Sequence, residues 1–204
     1  IPYLGYARQD KQFLSGEIVT MSIVAKMLEA AGAKKIVAVD IHSKTALNHF
    51  KISKESVSAI PELAKYFKKL KLKNALVVSP DMGGALRAKK FASLLNADFI
   101  TLKKSRNRKT GKVRIQSSKV DVSGRDLILV DDIISTGGSV IKATQFLKRQ
   151  KCKRVFVACT HGLFIGDAER KIKKAGASQI ISTNTIPRGT SKVDVSGVIA
   201  ESIR

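Results

Sequence analysis

Apolar residues along this chain fall into short unbroken runs, separated by stretches in which they recur every three or four positions. That alternation is the sequence mark of an α/β fold. Runs at residues 36–41, 75–79, 98–102, 126–131, 154–160 and 178–184 predict strands. Most are apolar at successive positions, as strands covered on both faces must be. The helical period recurs at 17–31, ended by Gly32, at 60–70 with Pro61 in its first turn, and at 84–95, 138–150 and 167–175. Residues 105–119 keep no apolar period, are dense in Lys and Arg and carry Gly111, which predicts a long loop or an exposed hairpin. The stretch 53–59 is the nearest approach to a boundary and divides the chain into 1–57 and 58–204.

Chemistry concentrates where two of the predicted strands end. Val130-Asp131-Asp132-Ile133-Ile134 is followed by Ser135, Thr136, Gly137, Gly138 and Ser139, so two carboxylates and a small-residue turn precede a helix. The free N–H groups of such a helix start can hold a dianion, and carboxylates beside them can hold hydroxyls, which together point to a phosphorylated sugar. Ser79-Pro80-Asp81-Met82-Gly83-Gly84 repeats the design, with Arg87 and Lys89 on the helix that follows. There the glycines let backbone approach a ligand, Asp81 can hold a magnesium-bound phosphate, and the basic residues can neutralise it. A plain turn before a solvated basic helix is the structural alternative. Tyr6-Ala7-Arg8-Gln9-Asp10 and Asp40-Ile41-His42 are weak signals when taken singly.

Composition narrows the classes. At 204 residues the chain has room for one large domain or two small ones, and no apolar run approaches the roughly 20 residues needed to span a bilayer. The opening at Ile1 reads as the interior of a fold, so further residues are expected before it. Cys152 and Cys159 have neither metal nor redox spacing and read as reduced core thiols, which fits a cytoplasmic protein. The net charge of +22 raises nucleic acid as a partner, but the basic residues are scattered over helix faces and only 5% of residues are aromatic. Specific nucleic-acid binding is therefore not expected; solvated lysine-rich surfaces and an anionic substrate account for the charge.

In order along the chain come Arg-Gln-Asp, Asp-x-His, Ser-Pro-Asp-x-Gly-Gly-x-x-Arg-Ala-Lys, a Lys-x-Arg, Asp-Asp-Ile-Ile-x-Thr-Gly-Gly and Thr-His-Gly-Leu-Phe. This series resembles the ribose-phosphate pyrophosphokinases. The resemblance implies an α/β chain of two phosphoribosyltransferase type I-like domains, with parallel sheets flanked by helices and the first domain incomplete at its N-terminus. It implies that the pyrophosphoryl group of Mg-ATP passes to ribose 5-phosphate, with Mg2+ and ATP required and a homo-oligomeric assembly. Arg8, Gln9, Asp10 and His42 would bind ATP; Asp81, Gly83, Gly84 and Arg87 would receive the pyrophosphoryl group. Lys104 and Arg106 match the catalytic Lys-x-Arg of a closing lid, with Lys103 as the alternative register. Asp131, Asp132 and residues 135–139 would hold ribose 5-phosphate, and His42, Asp81 and Asp131 would meet the metal. Two rivals remain on the same fold: a base phosphoribosyltransferase, and a non-catalytic regulator. Lys51 and Ser53 stand where the resembling proteins carry acidic residues, a departure near the nucleotide motifs.

Overall fold

The computed structural model describes residues 1–106, 113–116 and 120–203, with backbone alone at 104–106 and 113–116. In chain order the elements begin α1 (Thr20–Ala30), β1 (Lys35–Val39), α2 (Lys44–Leu47), β2 (Ser53–Val57), α3 (Ile60–Lys69) and β3 (Leu76–Ser79). A 3-10 turn (Met82–Gly84) leads into α4 (Ala85–Leu95), followed by β4 (Asp98–Thr101), β5 (Lys103–Arg106) and β6 (Val113–Gln116). The chain continues through β7 (Asp126–Ile134), α5 (Gly138–Arg149), β8 (Arg154–Gly162), α6 (Ala168–Lys174), β9 (Ala177–Thr183), β10 (Ser191–Val193) and α7 (Ser196–Ile203). Two compact units result, Ile60–Asp194 and Ile1–Ala59 together with Val195–Arg204. A division into 1–57 and 58–204 places the closing residues in the second part. They fall with the first because Val198 and Ile199 of α7 pack against Val39, Ala59 and Val195.

The larger unit is built on a six-stranded sheet in the order β10-β9-β8-β7-β3-β4. Its pairings are parallel throughout. Successive residues of each central strand are buried on opposite faces, as the two-residue period requires. Leu76, Val78, Leu127, Leu129, Val155 and Val157 join a core with Val140, Ala143 and Leu147 of α5 and Ile172 of α6. Val77, Ile128, Val130, Phe156 and Ala158 join a second core with Leu63 and Phe67 of α3 and Ala88 and Phe91 of α4. The unit is thus three layers, helices on either side of a parallel sheet, and the Phe67 ring meets those of Phe91 and Phe156 edge-on at 5.6 and 6.2 Å.

The strand order reverses between β3 and β7. From β3 the chain moves outward to β4, and the later strands β7, β8 and β9 extend the other way. In open parallel sheets a crevice forms at the carboxyl ends of the strands flanking such a reversal, which is where ligands bind. β7 itself runs three residues past the predicted end at Asp131, through Asp132 and Ile133 to Ile134, because β8 continues alongside as far as Gly162. Cys152 and Cys159 are buried free thiols, as expected, and burial pushes the Cys159 thiol well above its ordinary pKa.

In the smaller unit β1 and β2 pair in parallel, and Met21 and Ala25 of α1 pack with Ile36, Ala38, Ala46 and Phe50. Within the larger unit's residues, β5 and β6 form an antiparallel ribbon with Lys104 opposite Ile115 and Arg106 opposite Val113, the hairpin of the two sequence alternatives. Residues 107–112 and 117–119 of that predicted loop lie outside the described residues.

Candidate active site

The loop leaving β3 is folded by its own side chains. Ser79 Oγ donates to the Asp81 carbonyl at 2.6 Å, and Asp81 Oδ1 accepts from the N–H groups of Gly83 (3.1 Å) and Gly84 (3.3 Å). A Cβ at position 84 would sit 2.7 Å from Ser79 Oγ and 3.3 Å from Arg87 Nη1, so only glycine fits this turn undistorted. The Asp81 carboxylate, the candidate for a magnesium-bound phosphate, thus accepts from the backbone of its own glycine pair.

Beyond that loop α4 carries Arg87 toward the end of the neighbouring strand. Arg87 Nη1 lies 3.5 Å from Asp131 Oδ1 and Nη2 lies 3.0 Å from Asp132 Oδ2. The two carboxylates also cap the strand end: Asp131 Oδ1 accepts from Asp132 N–H, and Asp132 Oδ1 from Ile133 N–H, both at 2.9 Å. Burial pushes the Asp131 carboxyl up to about 7, the adjacent Asp132 adds to the rise, and the Arg87 guanidinium opposes it. The result is a pair of carboxylates tied by one cation to the anion loop of the adjacent strand.

After Ile134 the chain turns through Ser135 and Thr136 to Gly137, whose φ of 74° lies in the left-handed region that a glycine adopts without a Cβ penalty. Gly137 is the N-cap of α5, no side-chain cap is made there, and the first turn holds no acidic residue. The start of this helix, with the exposed Thr136 and Ser139 on it, is suited to a phosphate because its dipole and backbone N–H groups face an incoming anion. The turn is held from outside by the segment after β8. Leu163 and Phe164 N–H both donate to the Ile134 carbonyl and Ile165 N–H to the Ser135 carbonyl, each at 3.0 Å.

The smaller unit presents the other motifs. Gln9 N–H donates to the Tyr6 carbonyl at 2.8 Å, Thr20 Oγ1 donates to Gln9 Oε1 at 2.6 Å, and Met21 N–H donates to the Gln9 carbonyl at 3.2 Å. Arg8 and Gln9 are exposed, whereas Asp10 is buried. Asp40 adopts φ 36°, a strained value for a side-chain-bearing residue, held by its N–H to the Val57 carbonyl (2.8 Å) and by Ala59 N–H to its Oδ2 (3.0 Å). That turn leaves His42 exposed at the carboxyl end of β1.

Residues 46–195 match the family model of the phosphoribosyl transferase domain, and residues 1–32 match that of the N-terminal domain of ribose phosphate pyrophosphokinase. A ribose-phosphate pyrophosphokinase of Sulfurisphaera tokodaii is 39% identical over 207 residues, which span 100% of this chain and 71% of that protein. The chain belongs to the ribose-phosphate pyrophosphokinase family. A second ribose-phosphate pyrophosphokinase, from Pasteurella multocida, is 36% identical across 100% of this chain and 68% of its own length. The crystal structure of phosphoribosylpyrophosphate synthetase from Mycobacterium smegmatis superposes with a TM-score of 0.86 at 31% identity, over 100% of this chain and 68% of that one. Adenine phosphoribosyl transferase from Trypanosoma brucei shares the fold alone, at TM-score 0.51 and 16% identity over 72% of this chain and 76% of that one.

For a ribose-phosphate pyrophosphokinase, the structure groups the nominated residues by unit. Asp81, Gly83, Gly84, Arg87, Asp131, Asp132 and residues 135–139 line the strand ends around one reversal; Arg8, Gln9, Asp10 and His42 lie on the smaller unit. Lys104 and Arg106 lie on β5, and their side chains are outside the described residues. Among the described residues no three or more His, Cys, Asp or Glu are grouped to hold a metal, and no helix is long and apolar enough to cross a membrane. Two supports of the site segments stand outside the candidate site residues. Residues 163–165 brace the phosphate turn, although Thr160-His161-Gly162-Leu163-Phe164 was visible as part of the family order. His49 reaches the Asp10 carbonyl, with no pattern to announce it.

Proposed function

We propose that the chain transfers the β,γ-pyrophosphoryl group of ATP to the anomeric hydroxyl of ribose 5-phosphate, yielding phosphoribosyl diphosphate and AMP. The observation that carries this reading is the Arg87 bridge from the anion loop after β3 to the two carboxylates at the end of β7. It ties the loop nominated for the pyrophosphoryl group to the carboxylates nominated for the sugar hydroxyls. What favours the kinase over a base phosphoribosyltransferase is the match of residues 1–32 to the N-terminal domain of ribose phosphate pyrophosphokinase, together with the relatives that share the whole chain.

In this reading the α5 N-terminus receives the 5-phosphate, Asp131 and Asp132 orient the ribose hydroxyls, and Arg8, Gln9, Asp10 and His42 hold the nucleotide. The anomeric oxygen bonds to the β-phosphorus, the bond from that phosphorus to the α,β-bridging oxygen breaks, and AMP leaves with the oxygen. The hydroxyl proton passes to solvent. Negative charge spread over the transferring group is stabilised by cations fixed where it develops, the role assigned to Lys104, Arg106 and Arg87.

The donor set fits Mg2+, which takes one or two carboxylates and completes its shell with water and substrate oxygens. Asp131 and Asp132 are hard oxygen donors, with Asp81 as a further candidate on the same unit; His42, on the smaller unit, is a separate candidate. When bound, Mg2+ would neutralise phosphate charge and polarise the phosphoryl oxygens. Several copies of the chain would form the homo-oligomer.

The test is AMP release from ATP with Mg2+, with and without ribose 5-phosphate. Sugar-dependent AMP formation with matching phosphoribosyl diphosphate is expected. Consumption of phosphoribosyl diphosphate on adding a nucleobase, without use of ATP, would replace the reading by a base transferase; neither reaction would favour a regulator.

A further inference from the structure

We propose that His49 is a positioning residue for the nucleotide, acting by locking the Arg8-Gln9-Asp10 loop to the Asp40-Ile41-His42 turn. The inference rests on the nucleotide reading of those two segments. His49 Nε2 lies 2.6 Å from the Asp10 carbonyl oxygen, just below the usual N–H···O range. A carbonyl can only accept, so the ring proton on that side is on Nε2.

What makes this bond more than a local contact is the rigidity of both its ends. His42 is followed by Ser43, whose Oγ accepts from Thr45 N–H at 3.2 Å and caps α2. The short helix is anchored by Ala46, fully buried, and closes through Asn48 N–H to the Thr45 carbonyl and Phe50 N–H to the Leu47 carbonyl, each at 3.0 Å. Phe50 is itself buried in the core of the smaller unit, so His49 is fixed between a capped helix and a core anchor. At the other end, the Gln9 carbonyl and Oε1 are engaged by Met21 N–H and Thr20 Oγ1 of α1. Asp10 is the next residue along, and His49 takes its carbonyl. The loop is therefore gripped from two directions, by α1 at Gln9 and by the His42 segment at Asp10.

A side chain that only filled space at position 49 would keep the packing of Leu4 and Ala7 against Ala46 and Phe50 but lose the hydrogen bond that fixes Asp10 itself. One that donates a hydrogen bond couples the two nucleotide segments. The effect should be specific to ATP, because ribose 5-phosphate is assigned to the other unit.

The experiment compares His49→Phe, which keeps ring bulk and removes the donor, with His49→Gln, whose amide nitrogen reaches to about the position of Nε2. Steady-state kinetics for each substrate are measured with the melting temperature. His49→Phe is expected to raise KM for ATP about ten-fold, the scale of one lost hydrogen bond, with KM for ribose 5-phosphate unchanged and His49→Gln restoring most of the difference. If His49→Phe does not fold, His49→Asn replaces it, since its shorter amide cannot reach Asp10 and must show the same ATP-specific defect. An unchanged KM for ATP in the donor-free variant, or an equal rise in both KM values, would overturn the proposal. His42→Ala and Arg8→Ala separate the two levels. If these raise KM for ATP while the His49 variants do not, the nucleotide reading stands and the coupling fails; if neither does, the nucleotide reading fails and the proposal with it.

Discussion

Arg87 Nη2 lies 3.0 Å from Asp132 Oδ2, joining the helix after β3 to the end of β7 across the reversal of strand order. Removing this cation leaves two adjacent carboxylates beside each other and detaches the loop after β3 from the end of β7. Arg87→Ala is expected to lower kcat/KM on the order of 10²-fold, and Arg87→Lys less, because lysine keeps the charge but not the fork that spans both carboxylates. Combined with Asp132→Asn, the loss should fall well short of the sum of the single losses, as for residues acting in one network. Additive losses would show that Arg87 and Asp132 serve separate steps.

The Asp131 carboxyl, raised to about 7 chiefly by burial, makes stability depend on pH. Between about pH 4, where an unperturbed carboxyl titrates, and about 7, the native state holds a proton that the unfolded chain has released. Stability in metal-free buffer is therefore expected to fall as pH rises through this window and to level off above it. Asp131→Asn, which keeps the shape of the protonated acid, should flatten the dependence and melt higher than the parent at pH 8. Melting curves at intervals from pH 5 to 8 check this; an unaltered slope in the variant would assign the titration elsewhere.

At the end of β8 a Cβ on residue 162 would sit 2.3 Å from Phe164 Cε2 and 3.1 Å from Ser182 Cβ. Phe164 is buried and its N–H holds the Ile134 carbonyl, so pushing its ring moves the brace under the phosphate turn. Gly162→Ala is expected to cost about 1–3 kcal/mol of stability, as overpacking does. It should also raise KM for ribose 5-phosphate several-fold with little change for ATP. Equal changes for both substrates would mean that the brace is structural only.

Much of this architecture was legible because it rests on local patterns. The central strands and five main helices follow from apolar runs and the helical period, and both anion loops from strand, glycine pair and helix in series. What escaped depends on partners distant in sequence. β2, Ser-Lys-Glu-Ser-Val, has an exposed polar face and becomes a strand only by pairing with β1. α2 is too short to show a period, and β7 was cut short because the aspartates interrupt its apolar run. Arg87 was visible as a basic residue at a helix start. That it meets Asp131 and Asp132 depends on β3 lying beside β7, which no window of the sequence contains.

Lys104 and Arg106 enter β5 two residues apart, paired to Ile115 and Val113 across the ribbon. If their cations stabilise the transferring group rather than bound ATP, Lys104→Ala or Arg106→Ala should lower kcat on the order of 10²-fold or more with a smaller effect on KM. Lys103→Ala, next to the assigned pair, should be near parental and so decides the register. A large rise in KM with unchanged kcat would reassign these residues to ground-state binding.

Far from the catalytic groups, at the start of β7, Arg154 closes a two-pronged contact on Asp126, Nε to Oδ1 at 2.9 Å and Nη2 to Oδ2 at 2.7 Å. The Asp126 side chain is fully buried, the Arg154 hydrogen bond holds its carboxyl below the usual range, and the guanidinium lies 5.2 Å over the Phe156 ring. Removing the arginine leaves a buried carboxylate with its Lys73 backbone hydrogen bond but without its paired cation, which outweighs the loss of a partly exposed guanidinium. Arg154→Ala is therefore expected to destabilise the protein by about 2 kcal/mol at pH 7 in urea denaturation. Because the Asp126 pKa is depressed in the native state, the contact stabilises above about pH 4 and is lost as pH falls through the lower native value. The difference between parent and variant should shrink in acid, and Asp126→Asn in the Arg154→Ala background should recover part of the loss at pH 7. A difference that persists unchanged at pH 3 would attribute the effect to the packing of Arg154 on Phe156 instead.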